Sequence, residues 1–303
     1  MKHFFIKQMI LDPTIALRID ESEFYSLKHS MDILLSAKAI EEKYDILVSN
    51  FLEFEKGILS QLAQQMIFTQ ETYQQSYELQ STLNRRVVNL LTSTKLYYDQ
   101  IEKHVRICMH GDHDCGRQAK IYFSTEYDTH FEYRFMEALR NHVQHYGLAV
   151  HSLSLQSKWV GPHEDHQLIN QIKIFATKHD ISLNSGFKKT VFHEMPERVE
   201  IIKAIRIYIG CFSNVHIKIR TLISENVSSS RVNVENALNN YKEANSGNAI
   251  GASAYIVNVD NPTSKPIEQF ALLLDWDDVR VGLVNKNKTL HNIYRWHVSG
   301  SYL

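Results

Sequence analysis

Between Glu23 and Leu62 apolar side chains return at Phe24, Leu27, Met31, Leu34, Ile40, Tyr44, Leu47, Phe51, Phe54 and Ile58, mostly in steps of three and four. Neither Gly nor Pro interrupts the run before Gly57. That spacing keeps one apolar stripe on a 3.6-residue helix, so the stretch predicts a long amphipathic helix. A second run, Leu83, Val87, Leu90, Thr94, Tyr97, Ile101 and Val105, keeps the same spacing until the chain meets Gly111. Two such stripes bury each other, and the pair is predicted to close as a long antiparallel helical hairpin. The Gln-rich QETYQQSYELQ between them reads as an exposed helical start or as the hairpin tip.

Composition supports helices. Only 11 Gly and 5 Pro in 303 residues disfavour an all-β chain built on many tight turns. Lys+Arg 33 against Asp+Glu 34 leaves no overall basic excess, so any nucleic-acid contact must be local. Three cysteines, Cys108, Cys115 and Cys211, suit a reducing compartment better than a disulfide framework. The start, MKHFFIKQMILDP, is interrupted by Lys7 and Gln8 and lacks a small-residue cleavage site; no stretch approaches the ~20 apolar residues that span a bilayer. The expectation is a cytoplasmic protein without a membrane segment.

Further along, residues 110–120 read as a polar loop, and a third helix is predicted from about Thr125 to Tyr146, closed by Gly147. LAVHSLSL and QIKIFA look like short strands. Pro196 is predicted to begin a long helix reaching about Glu225, and SSSRVNVENALNNYKEAN reads as a separate capped helix. From Gly247 onward SAYIVNV, a turn at Asn261-Pro262, FALLLDW, VRVGLVN and IYRWHV read as β. The fold class that follows is mainly α: a helical bundle with a long antiparallel helical hairpin and a small C-terminal α+β extension. The expected division is a helical domain at 1–150, short strands and two further helices packing on the bundle at 151–246, and a small antiparallel β extension at 247–303.

Candidate chemistry concentrates in FEYRFMEALRNHVQHYGLAVH. At 100° per residue Phe131, Phe135, Ala138, Leu139, His142 and Tyr146 share one stripe, with Val143 at its margin. His142 therefore reads as a packed residue. The opposite arc holds Tyr133, Arg134, Glu137, Arg140, Asn141, Gln144 and His145, a face that is either solvated or functional. Asn141 and His145 are one turn apart, whereas Arg140 and His145 are about 140° apart around the helix. An always-charged Arg suits phosphate and a His of near-neutral pKa suits proton transfer.

The string Arg140-Asn141-His142-Val143-Gln144-His145, near a helix end and behind a long hairpin, resembles the signature of HEPN-domain ribonucleases, over roughly residues 20–150, with the 196–245 helices completing the bundle. The resemblance implies that 1–150 is HEPN-like and that the chain is a metal-independent endoribonuclease. RNA would then be cut by 2′-OH transesterification to 2′,3′-cyclic phosphate and 5′-OH ends. His145 would move the proton, Arg140 stabilise the phosphorane and Asn141 position the phosphate or the imidazole, with Glu137, Arg134 and Gln144 supporting. It further implies no cofactor, a homodimer with a composite site, and a toxin or phage-defence effector under an inhibitory or activating protein partner.

Other groupings are weaker. Cys108, His110, Asp112, His113, Asp114 and Cys115 offer zinc ligands at Cys108, His110, His113 and Cys115 but lack two separated ligand pairs, so a polar loop is the plainer reading. Asp275, Asp277 and Asp278 around Trp276 offer carboxylates to a divalent cation or simply mark a strand-end turn. No glycine-rich phosphate loop, G-x-S-x-G or H-E-x-x-H is present. The alternative function is a non-catalytic helical module that binds RNA, a nucleotide or a protein. An ion pair between Arg140 and Glu137, with His145 buried and no cleft, favours that alternative.

Overall fold

The computed structural model describes residues 2–8, 15–68, 72–162, 164, 166–258, 265–287, 289–296 and 298; the predicted turn at Asn261-Pro262 lies outside them. Within these residues the chain is mainly helical with two small antiparallel sheets, as the sequence predicts. It divides into two compact units. The first comprises residues 1–42, 101–119 and 219–287, and the second 43–100, 120–218 and 288–303. The three long helices, α1 (Glu21–Ile67), α2 (Tyr73–Cys108) and α7 (Ile201–Ala244), each contribute a segment to both.

In the first unit, strands β1 (Lys2–Gln8), β2 (Leu17–Ile19), β6 (Ala252–Asn258) and β7 (Glu268–Ala271) form one antiparallel sheet in the order β2-β1-β6-β7. The period-2 alternation of β1 turns Phe4, Ile6 and Gln8 inward. Phe4 meets Phe24 of α1 at 5.6 Å between ring centroids, and Phe24 meets Phe270 of β7 at 5.2 Å, which joins sheet to helix. Buried Gln8 spends its polar atoms inside: its N–H donates to the Tyr241 hydroxyl at 3.1 Å and its Nε2 to the Ile250 carbonyl at 2.9 Å. The partner of the predicted C-terminal β segment is thus the N-terminal strand, which pairs with β6 along its whole length.

The β reading of FALLLDW and VRVGLVN holds only for β7; residues Asp275–Lys286 form helix α8. Val279 and Val281 alternate as in a strand but are exposed, so no sheet face exists for them. Asp275, Asp277 and Asp278 lie in the first helical turn, where the positive end of the helix dipole favours carboxylates. Likewise Ile293–Arg295 of the predicted final strand form a short 3₁₀ turn.

In the second unit α1 and α2 run antiparallel. Tyr44 meets Tyr97 at 6.1 Å, and the Arg86 guanidinium reaches back to the Glu53 carbonyl, so rising numbers on one helix face falling numbers on the other. Gly57 lies inside α1 with the Arg86 guanidinium across it, where a Cβ would require the arginine side chain to move. The core is aromatic, with Tyr97, Phe123, Tyr133, Tyr208 and Phe212 each at most 2% exposed. Strands β3 (Ser152–Val160), β4 (Gln167–Thr177) and β5 (Arg198–Glu200) form the second sheet.

Three helix boundaries differ from the predicted ones. The polar loop at 110–120 ends early, because α3 begins at His113, where Asp112 Oδ1 accepts from the Asp114 N–H at 2.7 Å. The predicted helix from Thr125 to Tyr146 is two helices, α3 (His113–Thr129) and α4 (Phe131–His145), broken at His130, whose backbone is extended. Ser124, Thr125 and Thr129 hydroxyls each bond the carbonyl four residues back, a pattern that bends helices. Conversely, the helix predicted to begin at Pro196 begins at Ile201, after strand β5, and it and the helix predicted to follow it are the single 44-residue α7. The SSS string at 228–230 looks like a cap, but Val227, Ser230 and Val234 are buried, and packing carries the helix through it.

Candidate functional site

Helix α4 buries Phe135, Ala138, Leu139 and His142 of its predicted stripe and Met136 besides, whereas Phe131 is half-buried and Tyr146 is exposed. Tyr133, placed by periodicity on the polar arc, is buried instead: its ring stacks on Phe212 at 5.8 Å and meets Tyr208 edge-on at 5.0 Å. The remaining arc separates into residues with structural partners and residues left to solvent. Arg134 Nη2 pairs with Glu194 Oε2 at 2.7 Å, and Nη1 donates to the carbonyls of Tyr127 and Asp128 at 2.8 and 3.0 Å. It therefore caps the end of α3 and holds the short helix α6 (Lys189–Glu194).

Glu137 accepts from the Tyr208 hydroxyl and lies 3.5 Å from Arg140 Nη2. That nitrogen also donates to Asn141 Oδ1 at 2.9 Å. Arg140 is 11% exposed at its side chain, yet its Nε and Nη1 are buried with no hydrogen-bond partner among the described residues. A guanidinium has five N–H groups to satisfy, and those left unmet in a buried setting cost free energy until an acceptor arrives. Asn141, Gln144 and His145 stand exposed beside it, and Tyr146 is 54% exposed at the helix end. No hydrogen bond joins Arg140 to His145 among the described residues.

Beneath this face lies a histidine pair. His142, 2% exposed, accepts at Nδ1 from Asn184 Nδ2 at 2.9 Å. His151 accepts at Nδ1 from the Thr177 N–H at 3.1 Å, which leaves Nε2 to donate to the Leu148 carbonyl at 2.9 Å. Both rings are thereby held neutral. Burial, and then repulsion from His151, lowers the pKa of His142; burial lowers that of His151 against the pull of Asp180. Unfolded histidines take up protons near pH 6.5, whereas these resist until the pH is lower. Stability is thus full above about pH 6.5 and falls as pH drops through that range toward the folded pKa values. Urea midpoints measured from pH 8 to 5 should decline below about 6.5 in the wild type and less so in His151→Gln; equal slopes would refute the assignment.

The first-unit ligand candidates are not gathered at one point. Cys108 is fully buried and donates to the Ile33 carbonyl at 3.6 Å, and burial pushes its thiol up to about 12. His110 Nδ1 lies 2.7 Å from His29 Nε2, His113 is exposed, and the Cys115 thiol donates to Asp112 Oδ2 at 3.4 Å. Two of the acidic trio, Asp277 and Asp278, are equally committed. Asp277, fully buried, receives Arg280 Nε at 2.5 Å and Arg231 Nη1 at 2.8 Å, while Asp278 receives Arg231 Nη2 at 2.7 Å. A cavity of about 410 Å³ opens beside Arg220, Arg231 and Arg280, but each of these arginines is already paired with a carboxylate. It is an ion-pair network rather than an open anion site.

Among families of known proteins, the model of the Cse1 family matches residues 24–191, more than half of the chain. The chain belongs to the Cse1 family. No curated protein and no solved structure matches it. Membership in Cse1 overturns the HEPN resemblance, which rested on a six-residue string, its place near a helix end and the long hairpin before it. The endoribonuclease reading, the HEPN-type enzyme class and the toxin role fall with it. The homodimer with a composite site, inferred only from that resemblance, has no support. The geometry of this Cse1 chain agrees in one respect, since Arg140 faces Glu137 and Asn141 rather than His145. His145 is exposed and not buried, however, so of the observations named for the non-catalytic alternative the Arg140–Glu137 ion pair is met and the burial of His145 is not. Among the described residues no helix is long and apolar enough to cross a membrane.

Proposed function

We propose that this Cse1-family chain is a non-catalytic helical module that binds nucleic acid as one part of a protein assembly, with the exposed end of α4 as its contact surface. The observation that supports the reading is Arg140, whose Nε and Nη1 are shielded from solvent and have no hydrogen-bond partner among the described residues, so that the guanidinium gains an acceptor by swinging out to the exposed end of α4. A phosphate oxygen is the acceptor that a fixed guanidinium fork fits best. The C-terminal end of a helix disfavours an anion by about 0.3–1 kcal/mol, less than the ~1.5–3 kcal/mol of a charge-assisted hydrogen bond, so the contact is net favourable. Asn141, Gln144 and His145 add donors beside it, and the exposed Tyr146 ring offers a face on which a base can stack.

A protein partner is supported by a different place. The end of the α1/α2 hairpin exposes Met66 (70%), Ile67 (65%), Phe68 (63%), Tyr73 (88%) and Tyr77 (61%) within a short span of chain, more large apolar surface than a solvated helix end needs. An activating or inhibitory partner, a cytoplasmic setting and a place in antiviral defence belong to this reading, with the module serving an assembly.

Anisotropy of labelled single-stranded RNA and DNA, measured over a salt series, tests the α4 surface. Wild-type protein should bind and leave the RNA intact. Arg140→Ala should weaken binding roughly 10-fold and reduce the salt slope by about 1, the signature of one lost phosphate contact. Unchanged affinity in Arg140→Ala would remove α4 from the interface, and an absence of binding to either polymer would reject the nucleic-acid reading.

A further inference from the structure

The end of α3 carries a second constellation. Glu126 and His130 are one helical turn apart and project from the same side, and Cys211 of α7 faces them. His130 Nε2 lies 3.6 Å from Glu126 Oε2, and one ligand atom from each of the three residues lies within 4.8 Å of the others. Zinc bonds of about 2.0–2.3 Å in tetrahedral geometry separate ligand atoms by roughly 3.3–3.8 Å. The carboxylate and imidazole already have that spacing, and with every separation within 4.8 Å the sulfur needs a shift of at most about 1 Å to join them.

Burial fits as well. Glu126 and Cys211 are 7% and 2% exposed, while the His130 side chain is 38% exposed, which gives the site a protein floor and a way in. His130 is also the extended residue between α3 and α4, and its side chain makes no capping bond. We propose that Glu126, His130 and Cys211 bind a zinc ion that ties the α3–α4 junction to α7, with water as the fourth ligand. One nitrogen, one sulfur and one carboxylate oxygen are a ligand set for a borderline-soft divalent cation and not for magnesium or calcium.

Without metal the protonated Cys211 thiol donates a hydrogen bond to the Glu126 carboxylate. On binding, the S–H bond breaks, the proton leaves to solvent and a Zn–S bond forms. Thiolate and carboxylate then neutralise the dication. Lys218 remains 3.9 Å from the other oxygen of Glu126, and Glu132 adds negative potential at the sulfur. The site is separate from the exposed end of α4, so its test is independent of nucleic-acid binding.

The chain, stripped with chelator and dialysed, is titrated with Co²⁺ and then Zn²⁺. One equivalent of Co²⁺ should give a thiolate-to-cobalt charge-transfer band with tetrahedral d–d bands, and Zn²⁺ should displace it and raise the melting midpoint. Cys211→Ser should abolish the charge-transfer band. His130→Gln, at a partly exposed side chain that leaves the core intact, should weaken binding at least tenfold. Cys115→Ser should behave as the wild type. Absence of the band in the wild type, its survival in Cys211→Ser, or its loss in Cys115→Ser would overturn the proposal.

Discussion

Asp277→Ala should lower the unfolding free energy by about 3–5 kcal/mol, the range for removing one partner of a buried ion pair. Asp277 is fully buried and joins two arginines, Arg280 from its own helix and Arg231 from α7. Its loss strands Arg280, only 13% exposed at the side chain, without a carboxylate, whereas Arg231 keeps Glu235 and Asp278. The neighbouring Asp278→Ala supplies the contrast. That carboxylate is 63% exposed, and removing it should cost under about 1 kcal/mol. Urea unfolding of both variants reads the difference. Equal, small losses would mean that water reaches Asp277 and that α8 is not anchored through it.

Phe212→Ala should cost a similar amount, about 3–5 kcal/mol, for a different reason. Phe212 is fully buried at the centre of the second unit's aromatic core, with ring centroids of Tyr208, Phe123, Tyr133 and Tyr97 at 5.0, 5.2, 5.8 and 6.0 Å. Alanine removes the transfer free energy of the ring and leaves a cavity that four large, mutually constrained rings cannot readily fill. Leu183→Ala, at a 60% exposed leucine, should stay within about 0.5 kcal/mol. Chemical denaturation checks both. A loss below about 1 kcal/mol for Phe212→Ala would mean that the rings do not pack as a single cluster.

The zinc proposal shows where reading the chain alone runs out. Glu126 and His130 are visible as a one-turn pair, but nothing local marks them out, and Cys211 lies in a different helix. The only zinc signal available in one dimension, the Cys and His residues between Cys108 and Cys115, is local in sequence and dispersed in space, because Cys108 turns into the core while His110 and Cys115 find other partners. The α4 surface was half legible. Its buried stripe followed from 3.6-residue periodicity, and Asn141, Gln144 and His145 are exposed as the arc predicts. Tyr133 was misplaced because periodicity assigns an angle around the helix axis, not the position of Tyr208 and Phe212 on α7. The six-residue string over-weighed the function, since an Arg and a His on one helix can be set in many environments.

The amino-acid sequence by itself determined the helical class and the long α1/α2 hairpin, because an uninterrupted apolar stripe has one economical way to leave water, and forty residues of consistent spacing outweigh any local ambiguity. Only the tertiary structure decided where helices break or continue and which strands pair. The α3–α4 bend, the unbroken α7, the helical α8 and the pairing of β1 with β6 each reverse or complete a local preference worth tenths of a kcal/mol per residue, and burial at distant contacts outweighs it.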